Sequence, residues 1–155
     1  MPHLPPVLRD PSALALVFIG GTAGTTLRLL LEEWFPAQPG RWPTTTFAIN
    51  LVGALVLAAL LEYLASSSRV DEEVGRRIRL FGGTGICGGF TTYSTFSDEQ
   101  VLLIRDGHLP LALTYGTATL IFGAIGTVIG LLVGAHLAGR GEPTEPDVVD
   151  PDTAP

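Results

Sequence analysis

Between Gly82 and Ser97 the chain reads GGTGICGGFTTYSTFS, sixteen uncharged residues of which eleven are Gly, Ser or Thr. The run sits between apolar flanks, where a membrane-crossing helix is expected. Its glycines and hydroxyl residues make it a poor continuous helix. Backbone that leaves the helix inside a bilayer must be buried in protein or line a polar cavity. Interrupted helices of this kind carry ion sites in membrane transporters. The segment therefore points to transport, and its glycines are expected to permit the break.

The composition agrees. Mean hydropathy is +0.41 and charged residues make up only 15%, against about a quarter in a soluble domain. A spanning helix needs ~20 mostly apolar residues, and four segments qualify. The first runs from Ser12, read as an N-cap after Pro11, to about Leu31. The second runs from about Trp42 to Leu61. The third starts near Leu80, includes the Gly/Thr run and ends near Ile104. The fourth runs from about Leu109 to Leu137 without a charge. The predicted fold is an all-α membrane protein with four transmembrane helices, the third broken mid-membrane.

Residues 1–11 read as a flexible N-terminus, 12–138 as the membrane domain, and 139–155 as a disordered acidic tail. That tail carries five acidic residues and three prolines from Glu142 to Asp152, a composition that cannot build a core. Gly20 and Gly24, and Gly126, Gly130 and Gly134, recur at the spacing that lets helix backbones approach closely in lipid. The single cysteine, Cys87, excludes an intrachain disulfide and reads as a small packing residue.

With four spans both termini lie on one side, together with the second loop. That side collects Arg9, Arg69, Arg76, Arg77, Arg79 and Arg140; the other collects Arg28, Arg41 and Arg105. Six against three favours cytoplasmic termini, a bias small enough to leave insertion in both orientations open.

Catalytic readings fail on the residues. Gly83-Thr84-Gly85-Ile86-Cys87-Gly88 is a literal GxGxxG, but VGRRIRLF before it is too charged for a buried strand. No lysine follows it for a phosphate loop. His3, His108 and His136 lie near ends or loops, and no His/Cys/Asp/Glu cluster suits a metal. No enzyme is predicted. What remains is polar and uncharged. Asn50 lies in the middle of an apolar helix, as an interhelical hydrogen bond or a pore-facing donor. Thr91, Thr92, Ser94, Thr95 and Ser97 offer hydroxyls, and Tyr115, Thr119 and Gly123 recur every four residues on one helix face.

These residues resemble a known family. CGGFTTYSTFSDE in the third segment is similar to the signature of the CrcB/Fluc fluoride channels, as are GGTAGTTLRLL in the first and TFAINLVGALVLAALL in the second. The resemblance spans roughly Ile19 to Leu137 and leaves out both tails. It implies an antiparallel dimer of four-helix subunits in the plasma membrane, either a homodimer or a heterodimer with a related chain. It implies two fluoride pores and a structural Na+ at the dimer centre, held by backbone carbonyls that correspond to Gly88 and Thr91. It implies that Tyr93 and Phe96 present ring edges to fluoride, that Asn50 faces the pore, and that Ser94 and Thr95 are the hydroxyls between the aromatics. The polar track corresponds to Tyr115 and Thr119, with Gly123 standing where Ser is common. Tyr93 stands where Phe is usual.

The chemistry suits fluoride. The ion is small and strongly hydrated, so a pore must replace its water without binding it too tightly to release. Amide and hydroxyl donors do so, and aromatic edges add weak attraction. Two other readings stand beside the channel. A proton-coupled four-helix exporter needs an embedded carboxylate, and Glu62, Asp98 and Glu99 are all placed near span ends. A non-conducting scaffold explains the glycine seams but not the hydroxyl-rich break. No nucleic-acid partner is implied.

Overall fold

The computed structural model describes residues 10–139, and among them there is no strand. The expectations for residues 1–9, the acidic tail and Arg140 lie outside the described residues. Helix α1 covers Pro11–Trp34, α2 Thr44–Ser66, α3 Glu72–Ile78, α4 Gly88–Phe90, α5 Tyr93–Arg105 and α6 Leu109–Ala138, with a π-helical segment at Arg79–Cys87 between α3 and α4. Helices α1, α2 and α6, of 24, 23 and 30 residues, are long and apolar enough to cross a membrane. The third expected span is not one long apolar helix. It is divided into a helical run from Glu72 to Phe90 and a second helix, α5.

Local chemistry explains the ends. Asp10, not Ser12, caps α1: its carboxylate accepts from the N–H groups of Ser12 at 3.0 Å and Ala13 at 3.3 Å. Pro11 takes the first helical position, where its missing N–H costs nothing. The arginine-rich stretch read as a loop contains α3. Asp71 caps it, Glu72 and Glu73 fill its first turn, and Arg76 and Arg77 its last, an order that complements the helix dipole. Gly139 closes α6 at φ +61°, in the left-handed region that favours glycine.

Ion pairs tie α1 to α3. Arg76 meets Asp10 at 3.1 Å and Glu73 at 2.8 Å, while Arg77 meets Glu73 at 2.9 Å. The Ser12 hydroxyl, the Ala13 N–H and Arg76 hold the Asp10 carboxyl down at about 2. Arg76 and then Arg77 hold Glu73 down at about 2.

The helices pair as α1 with the π segment and α4, and α2 with α6. Small residues set both seams. A Cβ on Gly130 would overlap the Leu55 carbonyl, and one on Gly24 would overlap the Ile86 carbonyl and reach within 2.9 Å of the Phe90 nitrogen. Gly85 and Gly89 of the third segment have the same use, since a Cβ on Gly85 would lie 2.9 Å from the Gly20 Cα and one on Gly89 would overlap the Gly21 carbonyl. The glycines between Gly82 and Gly89 are not where the chain leaves the helix, contrary to the expectation from sequence. Gly82, Gly83, Gly85, Gly88 and Gly89 stay helical, part of them in the wide π turns; Gly85 and Gly89 give α1 a close approach, while Gly82 and Gly83 face Leu60 and Leu57 of α2. Buried Cys87 packs there as a small side chain. Where α2, α5 and α6 converge, Leu103, Ala112 and Tyr115 form a core with Trp42, Phe47, Phe96 and Leu111 against it.

Candidate functional site

The chain leaves the helix at two residues. Thr91 and Thr92 are extended, with φ/ψ of −74°/154° and −144°/124°. Two extended residues between helices leave backbone groups without helical partners, and side chains take up several of them. The Asn50 Nδ2 donates to the Thr92 carbonyl at 2.9 Å, and the Thr92 N–H donates to Asn50 Oδ1 at 2.8 Å. One carboxamide from α2 thus satisfies both backbone groups of Thr92. Its second N–H has no hydrogen-bond partner among the described residues.

Thr92 is also the N-cap of α5. Its Oγ1 accepts from the Thr95 N–H at 3.1 Å, the bond expected of a threonine in that position. It donates to Thr95 Oγ1 at 3.1 Å and lies 3.2 Å from Ser94 Oγ. Thr95 Oγ1 in turn donates to Glu32 Oε1 at 3.4 Å.

These diversions bear on the carbonyls. In a continuing α-helix Gly88 would receive the Thr92 N–H and Thr91 the Thr95 N–H, both i+4. The first goes to Asn50 and the second to the Thr92 hydroxyl. The carbonyls of Gly88 and Thr91 thereby lose their regular helical donors. Oxygen atoms of this kind suit a hard cation, whereas among the described residues no His/Cys/Asp/Glu group suits a transition metal. The Gly89 carbonyl differs: it accepts from Thr25 Oγ1 and Arg28 Nε, each at 3.3 Å.

The two aromatic residues of the break lie together, ring centroids 6.1 Å apart. Tyr93 is 81% exposed. Phe96 is half-buried and packs on Tyr115 at 5.2 Å. Ser94 faces outward beside Tyr93, so the break carries hydroxyl and ring-edge groups on that face.

Tyr115 leads to a residue to which the sequence reading gave no site role. Glu99, read as lying near a span end, is 9% exposed. Its Oε1 accepts from Thr46 Oγ1 at 2.7 Å and its Oε2 from the Tyr115 hydroxyl at 2.8 Å. Tyr115 itself is fully buried, and Trp42 lies edge-on against its ring at 5.4 Å. Thr119 donates its hydroxyl to the Tyr115 carbonyl at 2.8 Å, one turn back on its own helix. Asn50, Thr92, Ser94 and Thr95 thus form one cluster, and Phe96, Tyr115, Glu99 and Thr46 the adjoining one. The signal for Glu99 was periodic: Phe96, Glu99 and Leu103 share one face of α5, a buried one. Thr46 gave no signal, because its role depends on a partner 53 residues away.

The chain matches the family model described as CrcB-like protein, Camphor Resistance (CrcB), over residues 15–131. It is 40% identical over 135 residues to a protein of Leifsonia xyli subsp. xyli named fluoride-specific ion channel FluC 2, covering 87% of this chain and 92% of that one. It is 42% identical over 123 residues to a Bacillus subtilis protein of the same name, covering 79% and 88%. A Nocardia farcinica protein, also named fluoride-specific ion channel FluC 2, is 35% identical over 128 residues, covering 83% and 87%.

Proposed function

The chain belongs to the CrcB-like family, and from that premise we propose that it is a fluoride-selective channel through which cytoplasmic fluoride leaves passively, lowering its toxicity. It is a channel and not an enzyme. The observation that carries the reading is the break at Thr91–Thr92, braced by the Asn50 carboxamide and carrying the hydroxyls of Thr92, Ser94 and Thr95. An anion passing there meets the remaining Asn50 N–H, the hydroxyls of Ser94 and Thr95, and the ring edges of Tyr93 and Phe96. Such groups replace water around fluoride at moderate strength, which allows release. Beyond Phe96 the polar track of this reading continues with Tyr115 and Thr119, whose hydroxyls here are donated to Glu99 and to the Tyr115 carbonyl.

In this reading the divided third segment also crosses the membrane, which makes four spans with α1, α2 and α6, and the break lies mid-membrane. Two copies, or this chain and a related one, pair antiparallel in the plasma membrane, with cytoplasmic termini favoured by the arginine distribution. The exposed Tyr93 and the open space around Gly88 support an interface at the break. A structural Na+ would sit there. The Gly88 and Thr91 carbonyls of each subunit would supply its oxygen ligands, adding positive potential without a titrating side chain.

Fluoride efflux from liposomes tests the proposal. Wild-type protein is expected to release fluoride well above empty vesicles and to exclude chloride; free passage of chloride with no fluoride flux refutes it. One observation favours a second reading, proton-coupled export: buried Glu99 is the kind of embedded carboxylate that mechanism needs. Flux that runs only with an imposed pH gradient selects the exporter, and flux down the fluoride gradient alone selects the channel.

A further inference from the structure

One fixed cation stands beside the break. Arg28, on α1, donates through Nε to the Gly89 carbonyl at 3.3 Å. Its side chain is 18% exposed. One turn further along the same helix, Glu32 places both carboxylate oxygens 3.4 Å from Arg28 Nη1, with its side chain 24% exposed. Glu32 also accepts from Thr95 Oγ1 at 3.4 Å, across the break. The pair thus touches both halves of the divided segment: Arg28 grips the end of α4 and Glu32 the start of α5. On the opposite side, Asn50 holds the residue between them.

The electrostatics of this arrangement matter for an anion path. Charges a few ångströms from a partly desolvated site act far more strongly than in water. A lone guanidinium at the break would deepen the anion's well and slow its release. The neighbouring carboxylate cancels that field while leaving the guanidinium free to hold the Gly89 carbonyl.

We propose that Glu32 is a positioning and charge-balancing residue, which neutralises Arg28 beside the break and thereby sets how tightly the pore holds its anion. The proposal rests on the fluoride-channel reading. It assigns Glu32 no contact with the ion. Its effect runs through Arg28 and, secondarily, through the Thr95 hydroxyl, whose proton it draws away from the pore.

The test is fluoride flux from liposomes as a function of fluoride concentration, for wild type, Glu32→Gln, Glu32→Ser and the double variant Arg28→Gln/Glu32→Gln. Glutamine keeps an acceptor for Thr95 and removes only the charge. Serine removes the long side chain as well, so one informative variant remains if the other fails to fold. Each single variant is expected to lower the half-saturating fluoride concentration by about five-fold and to lower maximal flux with it. In the double variant the half-saturating concentration is expected to return towards the wild-type value. A merely structural loss would lower maximal flux and leave half-saturation in place, which overturns the proposal. A shift that persists in the double variant also overturns it. If wild-type protein passes no fluoride above empty vesicles, the channel reading fails first and takes the proposal with it. Wild-type flux with an unshifted Glu32→Gln removes the proposal alone.

Discussion

Asn50 and Thr92, 42 positions apart, exchange two hydrogen bonds of 2.9 and 2.8 Å, so that one side-chain amide replaces the two backbone partners a helix would have provided. Aspartate at position 50 can still accept from the Thr92 N–H, but it sets a carboxylate oxygen against the Thr92 carbonyl. Asn50→Asp is expected to abolish fluoride efflux nearly completely. It is also expected to destabilise the protein by roughly 1–3 kcal/mol, the cost of a partly buried polar group left without its partner. Efflux assays and thermal melts in detergent check both; wild-type flux in this variant places Asn50 outside the pore.

Tyr115 and Thr46 both spend their hydroxyls on Glu99. Tyr115→Phe and Thr46→Val each leave one Glu99 oxygen without its donor in a buried place. Each is expected to cost about 1–3 kcal/mol, and the two losses are expected to be non-additive because they share one carboxyl group. A double-mutant cycle on thermal denaturation measures the coupling. Full additivity would mean the two hydroxyls act independently.

The clasp between α1 and α3 gives an acid-side dependence. Asp10 and Glu73 are held at about 2, below ordinary values of 3.8 and 4.5. Groups depressed in the folded state contribute stability that is complete above their unfolded values and is lost as pH falls through the folded ones. The melting temperature is therefore expected to be insensitive to these groups above about pH 5 and to fall as pH drops from 4.5 towards 2. Both groups are exposed, so high salt weakens the effect. In Arg76→Gln the acid-side slope is expected to flatten; an unchanged slope assigns it to other carboxyls.

Two glycines separate packing from assembly. Gly130 is shut in by α2, where Leu55 and Ala58 meet any added Cβ, whereas a Cβ on Gly88 meets nothing within 4 Å. Gly130→Ala is expected to destabilise the subunit by about 1–3 kcal/mol, as overpacking does. Gly88→Ala is expected to leave the subunit's own melt intact but to weaken the dimer and its flux, since the proposed partner covers that face. Light scattering alongside thermal melts distinguishes the two; a dimer unaffected by Gly88→Ala moves the interface elsewhere.

Much of the site was legible because its signals are local. The uncharged length of α2 and α6, the hydroxyl-rich stretch and the isolated Asn50 all stand out along the chain. Other features were misplaced for the same reason. The glycines of Gly82–Gly89 were read by helix propensity as the break. The segment remains helical where α1 packs against it, Gly20 on Gly85 and Gly24 on Ile86, and packing outweighs a propensity cost of ~1 kcal/mol per glycine. The stretch Asp71–Arg77 was passed over as a loop although its cap and charge order spell a short helix.

The sequence alone determined that this chain crosses a membrane with helices and carries a neutral, donor-rich segment among them. Those properties follow from residue polarity summed over a span's length, which needs no partner to express itself. Only the tertiary structure decided where the third segment leaves the helix, that Glu99 is buried, and that Glu32 faces Arg28 and Thr95. Each of these depends on which side chain of a distant helix satisfies a given backbone or carboxylate group. That pairing exists only once α1, α2 and α6 have closed around the break.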